Sequence, residues 1–429
     1  LANLKRAIGL PAATALVVGT IVGASIFRQA SEIALLVPDP AAIVGAWAVA
    51  GLLTLVGALV CAELASAFPK TGGVYVFLNR IYRPAVGFLW GWATFWTMHT
   101  GILAAIAMVF ASYAAFFMPL DLNGQRAVAV AAILLLSAVN YVGARFGGHV
   151  QTAFTIVKVL AVAAIIVLGF VLSDGRLAPA EPVGGDVTAA NFFLAVGAGL
   201  FAYGGWHMVT YTAEETVNPT RTIPRALMIG VIVVTLCYIG MNGVYLLVLP
   251  LDKVMTSARV AADAFDVLIG PSAAGAISVL VMFSAFGALN GIVMAGPRVY
   301  YQMAQDGLFF RWAAHVHPVY QTPDRAIVLQ ALWASVLVMT GSYRALFTRV
   351  IYTEWIFFAL LAAGVVLMRK RADYAPAWRM PLVPLAPIAF VVVSLLIVVN
   401  QIRADLHNSA IGMAIVATGI PAYYLWSRK

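Results

Sequence analysis

Apolar residues in this chain gather into runs of about 20 residues or more, each long enough to cross roughly 30 Å of hydrocarbon as a helix. Such runs fall at about 9–36, 41–67, 84–117, 126–143, 150–172 and 191–213, then at about 226–249, 272–304, 325–341, 344–368, 383–402 and 408–426. The pattern predicts twelve membrane-spanning helices, an even number that puts both termini on one side. Composition agrees, since 63% of the 429 residues are hydrophobic and only 10% charged, with a mean hydropathy of +0.95. No soluble domain of this length has that balance. The expected fold class is an all-α membrane protein, a single transmembrane domain over residues 1–429. Only Lys5 and Arg6 precede the first apolar run and no cleavable signal follows them, so the first span is expected to stay in the mature protein.

Two runs carry glycine where a membrane helix is expected to be continuous: residues 19–27 (GTIVGASIF) and 201–206 (FAYGGW). They lie five spans apart. The first ten spans then divide as five plus five, with repeat one at about 9–172, repeat two at about 191–368 and two extra helices at about 383–426. An odd count of five inverts the second half relative to the first, which makes the broken spans the first of each half. Broken helices at corresponding positions mark the substrate site of a secondary transporter, because unwound backbone offers free N–H and C=O groups inside the bilayer.

In the first break, Gly23, Ala24 and Ser25 follow one another. Their N–H groups, at the start of the outer half-helix, point at an anion and suit a carboxylate. A small-residue packing face between helices fits the same three residues. The second break has adjacent Gly204 and Gly205 between Tyr203 and Trp206, a pair hard to keep helical. Carbonyls of Phe201 and Ala202, with that of Ile21, then face one cavity as acceptors for an ammonium group. Donors from one break and acceptors from the other make a receptor for a zwitterion. Phe201 is either a lid over that cavity or a packing aromatic.

Charge sets the expected orientation. With the N-terminus inside, 17 of the 26 Lys and Arg residues fall on the inner side, eight on the outer side, and Lys158 lies within a span. Inner loops rich in basic residues place both termini in the cytoplasm, in the inner (plasma) membrane of a cell. The same bias accounts for the net charge of +9. No nucleic-acid partner is needed, and contact with anionic membrane lipid is the expected consequence. Cys61 and Cys237 sit in apolar runs, which speaks against a disulfide or a cysteine metal site. No phosphate-binding GxxxxGK[ST] loop is present, which argues against an ATP-driven pump within this chain, and no cofactor is expected.

Four segments in order resemble one family, the amino acid, polyamine and organocation transporters, and within it the L-type amino acid transporters. They are GTIVGASIF; FPKTGGVYVFL with GFLWGW across residues 68–92; FAYGGWHMVTYTAEETVNPTRTIPRA across 201–226; and FSAFGALNGIVMAGPRVYYQMAQDG across 283–307. The resemblance covers nearly the whole chain. It implies the leucine-transporter-type inverted repeat, with Gly23, Ala24 and Ser25 holding a substrate carboxylate and Ile21, Phe201, Ala202 and Gly204 holding the amino group. Asn290 faces the site by the same analogy, or equally bonds a neighbouring helix. Ser25 departs from the L-type pattern, which usually has glycine there. His207 stands where many relatives carry a polar amide; it lines the pocket or bonds to a neighbouring helix. Trp355 either lines the far end of the pocket or packs. His99 has no assignment.

Lys158 lies about eight residues into the fifth span, at a depth where a charge costs roughly 2.5–3.5 kcal/mol on insertion scales, so it is expected to face protein or water rather than lipid. The resemblance puts it against the broken first span, where sodium-coupled relatives place a cation. Carbonyls around Gly19 and Thr20 are its expected partners, and a fixed charge there removes the need for sodium. Glu63, Glu214, Glu215 and Arg298 near inner span ends read equally as an ion-paired gate or as interfacial anchors.

These readings converge on a sodium-independent carrier of neutral amino acids working by alternating access, in which exchange is favoured over net uptake. A proton-coupled symporter of amino acids, cationic ones or polyamines included, is the alternative; it calls for a carboxylate deep in the pocket, and none is assigned from sequence. An intramembrane enzyme or channel is disfavoured, since no catalytic dyad, metal cluster or filter of repeated loops stands out. In animals the L-type carriers pair with a glycoprotein through a cysteine between the third and fourth spans. Residues 118–125 contain none, so no disulfide-linked subunit is expected.

Overall fold

The computed structural model describes residues 6, 8–23, 25–142, 144–173, 187–340 and 343–427, with side chains described except at 144–151 and 343–351. Among these residues the chain is helical throughout, and its one pairing of extended backbone is an isolated parallel bridge between Ile8 and Thr216. Among the described residues nine helices are long and apolar enough to cross a membrane: Pro40–Ala67, Pro84–Ala114, Leu122–Val142, Thr152–Ser173, Ala189–Glu215, Pro219–Val248, Pro271–Gln305, Leu385–Ala404 and Leu406–Ser427. A tenth is the bent pair Leu10–Ile21 and Ser25–Leu36, whose axes differ by 43°. The remaining two apolar runs are also helical, Asp324–Thr340 with 17 residues and Tyr343–Met368 with 26, the side chains of the latter being described from Tyr352 onwards.

Local sequence explains where many helices begin. Proline opens Pro40–Ala67, Pro84–Ala93, Pro219–Val248 and Pro271–Ala295, positions where its missing N–H costs nothing. Asp39 adds a cap, its carboxylate accepting from the Ala42 N–H at 2.7 Å. Within Pro84–Ala114 the backbone widens into a π turn over Thr94–Met98, and Thr100 satisfies the displaced Phe95 carbonyl through its hydroxyl at 2.7 Å. That turn sets the direction of His99.

Burial separates interior helices from peripheral ones. The most apolar stretch of Pro84–Ala114 is 83% buried within the protein, whereas that of Leu406–Ser427 is 17% buried. Leu425, Tyr424 and Ile420 on the latter face outward, a surface that hydrocarbon suits and water does not. Leu10–Ile21 lies at the centre, packed on Ala144–Ser173, Pro219–Val248 and Pro271–Ala295, so its break is surrounded by protein.

Candidate functional site

Both glycine-marked breaks are present. The first helix stops at Ile21; the Gly23 N–H turns back onto the Ile21 carbonyl at 2.7 Å, and helix resumes at Ser25. Helix Ala189–Ala202 ends in a turn, Gly205 adopts φ +97, and a 3₁₀ segment, Trp206–Glu215, follows. Only glycine takes that backbone conformation without strain. The two breaks touch. Thr20 caps its own helix by donating to Leu16 O at 2.8 Å, and its hydroxyl lies 3.2 Å from the Gly205 carbonyl.

The carbonyls of Ile21 and Ala202 converge on one group, the Tyr238 hydroxyl, at 2.8 and 2.9 Å. A hydroxyl carries a single proton, so it serves one of these acceptors at a time and the pair can still take a further donor. Phe201, buried beside them, has its carbonyl accepting from the Gly204 N–H at 3.0 Å within the turn. Gly23 lies so close to the helix Pro271–Ala295 that a Cβ there would meet the Ala288 methyl at 3.0 Å. Ser25 is buried at the first position of the second half-helix, and Ala24 lies outside the described residues.

The Lys158 ammonium is buried against the end of the first half-helix. It donates to Gly19 O at 2.9 Å, Val22 O at 2.8 Å and Ser284 O at 3.3 Å. Gly19 was an expected partner; Val22 takes the place of Thr20, because the carbonyl just past the helix end turns towards the lysine. The positive group thus sits at the negative end of a helix and ties it to two neighbours.

The other sequence-assigned residues lie in different company. The Asn290 amide oxygen accepts from Asn140 Nδ2 at 2.7 Å, linking two helices. Trp355 packs against Phe358 and Phe390 at ring separations of 5.8 and 5.4 Å. His207 is fully buried, and neither ring nitrogen has a hydrogen-bond partner among the described residues. Its ring faces Trp90, Trp206, Phe358, Tyr211 and His99.

Of the four charged residues grouped near one end, Arg298 and Glu215 pair at 2.9 Å. Arg298 also donates to the Met294 carbonyl. Glu63 pairs instead with Arg369 at 2.7 Å and accepts from the Met380 N–H at 2.8 Å, while Glu214 is exposed. Burial, with Glu63 adding to it, pushes the Tyr374 hydroxyl far above the ordinary phenol range. A cavity of about 1030 Å³ opens at this end, lined in part by Lys70, Tyr75, Arg80, Gln302 and Asp306, away from the two breaks.

The family model of the amino acid permeases matches residues 8–422. The chain belongs to that family. This permease is 33% identical over 426 residues to the serine/threonine exchanger SteT of Bacillus subtilis (strain 168), covering 98% of this chain and 97% of that one. It is 31% identical to the human b(0,+)-type amino acid transporter 1, with 93% and 83% covered, and 30% identical to the rabbit (Oryctolagus cuniculus) large neutral amino acids transporter small subunit 2, with 99% and 82% covered. The resemblance to amino acid, polyamine and organocation transporters is therefore established, and the permease is a multi-pass membrane protein.

Two residues escaped the sequence reading. Tyr238 is one tyrosine among 16, and only its place opposite both breaks distinguishes it. Glu354 is a buried carboxylate inside the apolar run that ends in Met368. With His99 and His207 it forms a cluster whose potential ligand atoms all lie within 4.8 Å of one another, where no metal cluster was expected. The three come from segments more than a hundred residues apart, so no spacing motif could have announced them.

Proposed function

We propose that this permease is a sodium-independent secondary transporter of neutral L-amino acids that works by exchange and alternating access. The observation that carries the reading is the apposition of the two breaks, with the Ile21 and Ala202 carbonyls turned to a common point at Tyr238. An ammonium group supplies the further donor that the single Tyr238 proton cannot give to both carbonyls. The N–H groups around the start of the second half-helix, at Gly23, Ala24 and Ser25, receive the carboxylate, that of Gly23 by leaving the Ile21 carbonyl, where the helix end favours negative charge. Gly204 gives the amino end close access to backbone, Phe201 covers the substrate, and His207, Asn290 and Trp355 form the outer parts of the site. The names of the relatives, a serine/threonine exchanger and a transporter of large neutral amino acids, support neutral substrates and exchange.

Lys158 supplies the argument against sodium. Its ammonium already satisfies the Gly19, Val22 and Ser284 carbonyls, a cluster of oxygens that an alkali cation would otherwise need. The twelve-span, five-plus-five arrangement, an inner-membrane location, cytoplasmic termini and action without a disulfide-linked subunit belong to the same reading.

The test is flux in proteoliposomes. Uptake of labelled serine, alanine or leucine should require amino acid inside and should be unchanged when choline replaces sodium. Equal uptake into empty vesicles under a proton gradient would replace exchange by proton symport.

A further inference from the structure

Among the described residues, a cluster of unpaired buried polar groups lies beside the second break rather than in it. His99 follows the π turn of Pro84–Ala114, His207 opens the 3₁₀ segment after Gly205, and Glu354 projects from the helix Tyr343–Met368. All three are buried, at 0%, 0% and 4% exposure. Four ring nitrogens and Glu354 Oε1 have no hydrogen-bond partner among the described residues, and neither has the buried Tyr211 hydroxyl nearby. The two imidazoles face each other at 5.8 Å between ring centres, and the Tyr211 ring stands 5.7 and 5.6 Å from them.

Buried polar groups are almost always paired, and each one left unpaired costs about 1–3 kcal/mol. A cluster of this size therefore calls for an occupant. The donors are two imidazoles and one carboxylate, nitrogen and oxygen ligands in the ratio that suits a d-block dication with one position left open. We propose that His99, His207 and Glu354 form a binding site for a divalent transition-metal ion, zinc being the best match. Tetrahedral zinc with bonds of about 2.0–2.1 Å sets its donors about 3.3 Å apart. The cluster, whose ligand atoms lie within 4.8 Å of one another, closes to that spacing by rotation of the imidazoles and of the three-bond glutamate side chain. The carboxylate offsets part of the ionic charge, and Tyr211 is on hand to hold a water in the fourth position.

Such an ion would join the segment after the second break to two other helices. Its consequence for flux rests on the alternating-access reading above: a segment tied to its neighbours exchanges substrate more slowly. Binding itself does not depend on that reading.

The experiment uses the full chain in detergent, stripped with a chelator and then given zinc or cobalt(II). One ion per chain is expected, with X-ray absorption of the wild-type complex reporting two imidazole ligands. Glu354→Gln, which keeps volume, should weaken zinc binding by at least about tenfold, the scale found for losing even a supporting partner of a ligand. A His315→Gln/His317→Gln variant, altered in an outlying loop, should bind as the wild type does. Fewer than two imidazoles around the ion, zinc lost with His315 and His317 but kept in the Glu354 variant, or no bound ion at all would each overturn the site, the last leaving water as the occupant. The imidazole count needs no mutant, so a variant that fails to fold does not decide the matter. Exchange by the metal-free protein, measured in parallel, reports on the transport reading alone; added zinc is expected to slow it several-fold.

Discussion

At the scale of single residues, two side chains hold the broken backbone in place, and each invites a substitution. Tyr238 aims the carbonyls of Ile21 and Ala202 at one point; the Ile21 oxygen also accepts from the Gly23 N–H, and the single Tyr238 proton, serving one carbonyl at a time, leaves acceptor capacity for a substrate donor. Tyr238→Phe removes the aim and leaves the ring. Loss of one net hydrogen bond, about 0.5–1.5 kcal/mol, should raise the KM for exchange roughly three- to tenfold; an unchanged KM would show that these carbonyls do not meet the substrate. Lys158→Ala is the harsher change. It leaves the Gly19, Val22 and Ser284 carbonyls without their donor, at about 1 kcal/mol each or more, before any cavity is counted. Thermal unfolding in detergent should fall by several degrees relative to Lys70→Ala, an exposed lysine lost as a control. Equal midpoints would mean that the ammonium is not holding the break together.

At the scale of helices, what could be read from sequence is what composition alone decides. A Gly pair and a run of Gly, Ala and Ser were enough to place both breaks, because backbone freedom is a local property. The 3₁₀ winding after Gly205 and the contact of Thr20 with the Gly205 carbonyl were not legible, since both depend on which helix lies opposite. Partner choice was out of reach for the same reason: Glu63 could be grouped with Glu214, Glu215 and Arg298 near inner span ends, yet Arg369, some three hundred residues away in sequence, is the one it meets. The break can be tested as an element. Gly205→Ala forces a side chain into a left-handed backbone with its Cβ 3.2 Å from the Thr20 Cβ and 3.3 Å from the Thr20 carbonyl. Strain of about 1–2 kcal/mol for the conformation, plus the displaced contact, should separate the two breaks. Exchange should drop at least tenfold while the protein remains monodisperse, whereas Gly307→Ala, with φ +75 and open space around it, should carry only the backbone strain and keep its exchange. Similar losses in both would assign the effect to general destabilisation.

At the scale of the whole molecule, the end that bears the ion pairs is tied together by contacts between distant segments. Ile8 donates to Glu215 O at 3.0 Å and accepts from the Val217 N–H at 2.9 Å, and Arg298 reaches the Glu215 carboxylate from the helix Pro271–Gln305. Tyr75 closes on Asp306 at 2.7 Å in the same region. The proposed alternating access needs this end to open, so on that reading the free energy of these ties sets how often it does. The Arg298–Glu215 pair is partly exposed, with side-chain exposures of 8% and 15%, so its charge-assisted bonds are discounted for screening to about 1–2 kcal/mol. Glu215→Gln should then shift the equilibrium towards the open form by roughly five- to thirtyfold, since about 1.4 kcal/mol is a factor of ten. Cys61 offers the readout. It is fully buried, two residues from Glu63, on the helix Pro40–Ala67 that packs against the 3₁₀ segment ending at Glu215. In a Cys237→Ser background, a membrane-impermeant thiol reagent should label Cys61 faster in the Glu215→Gln variant than in its parent, by a factor in that range. If labelling is equally slow in both, the pair does not restrain the opening, and the contacts of Ile8 and of Glu63 with Arg369 must be the ties that hold the end closed.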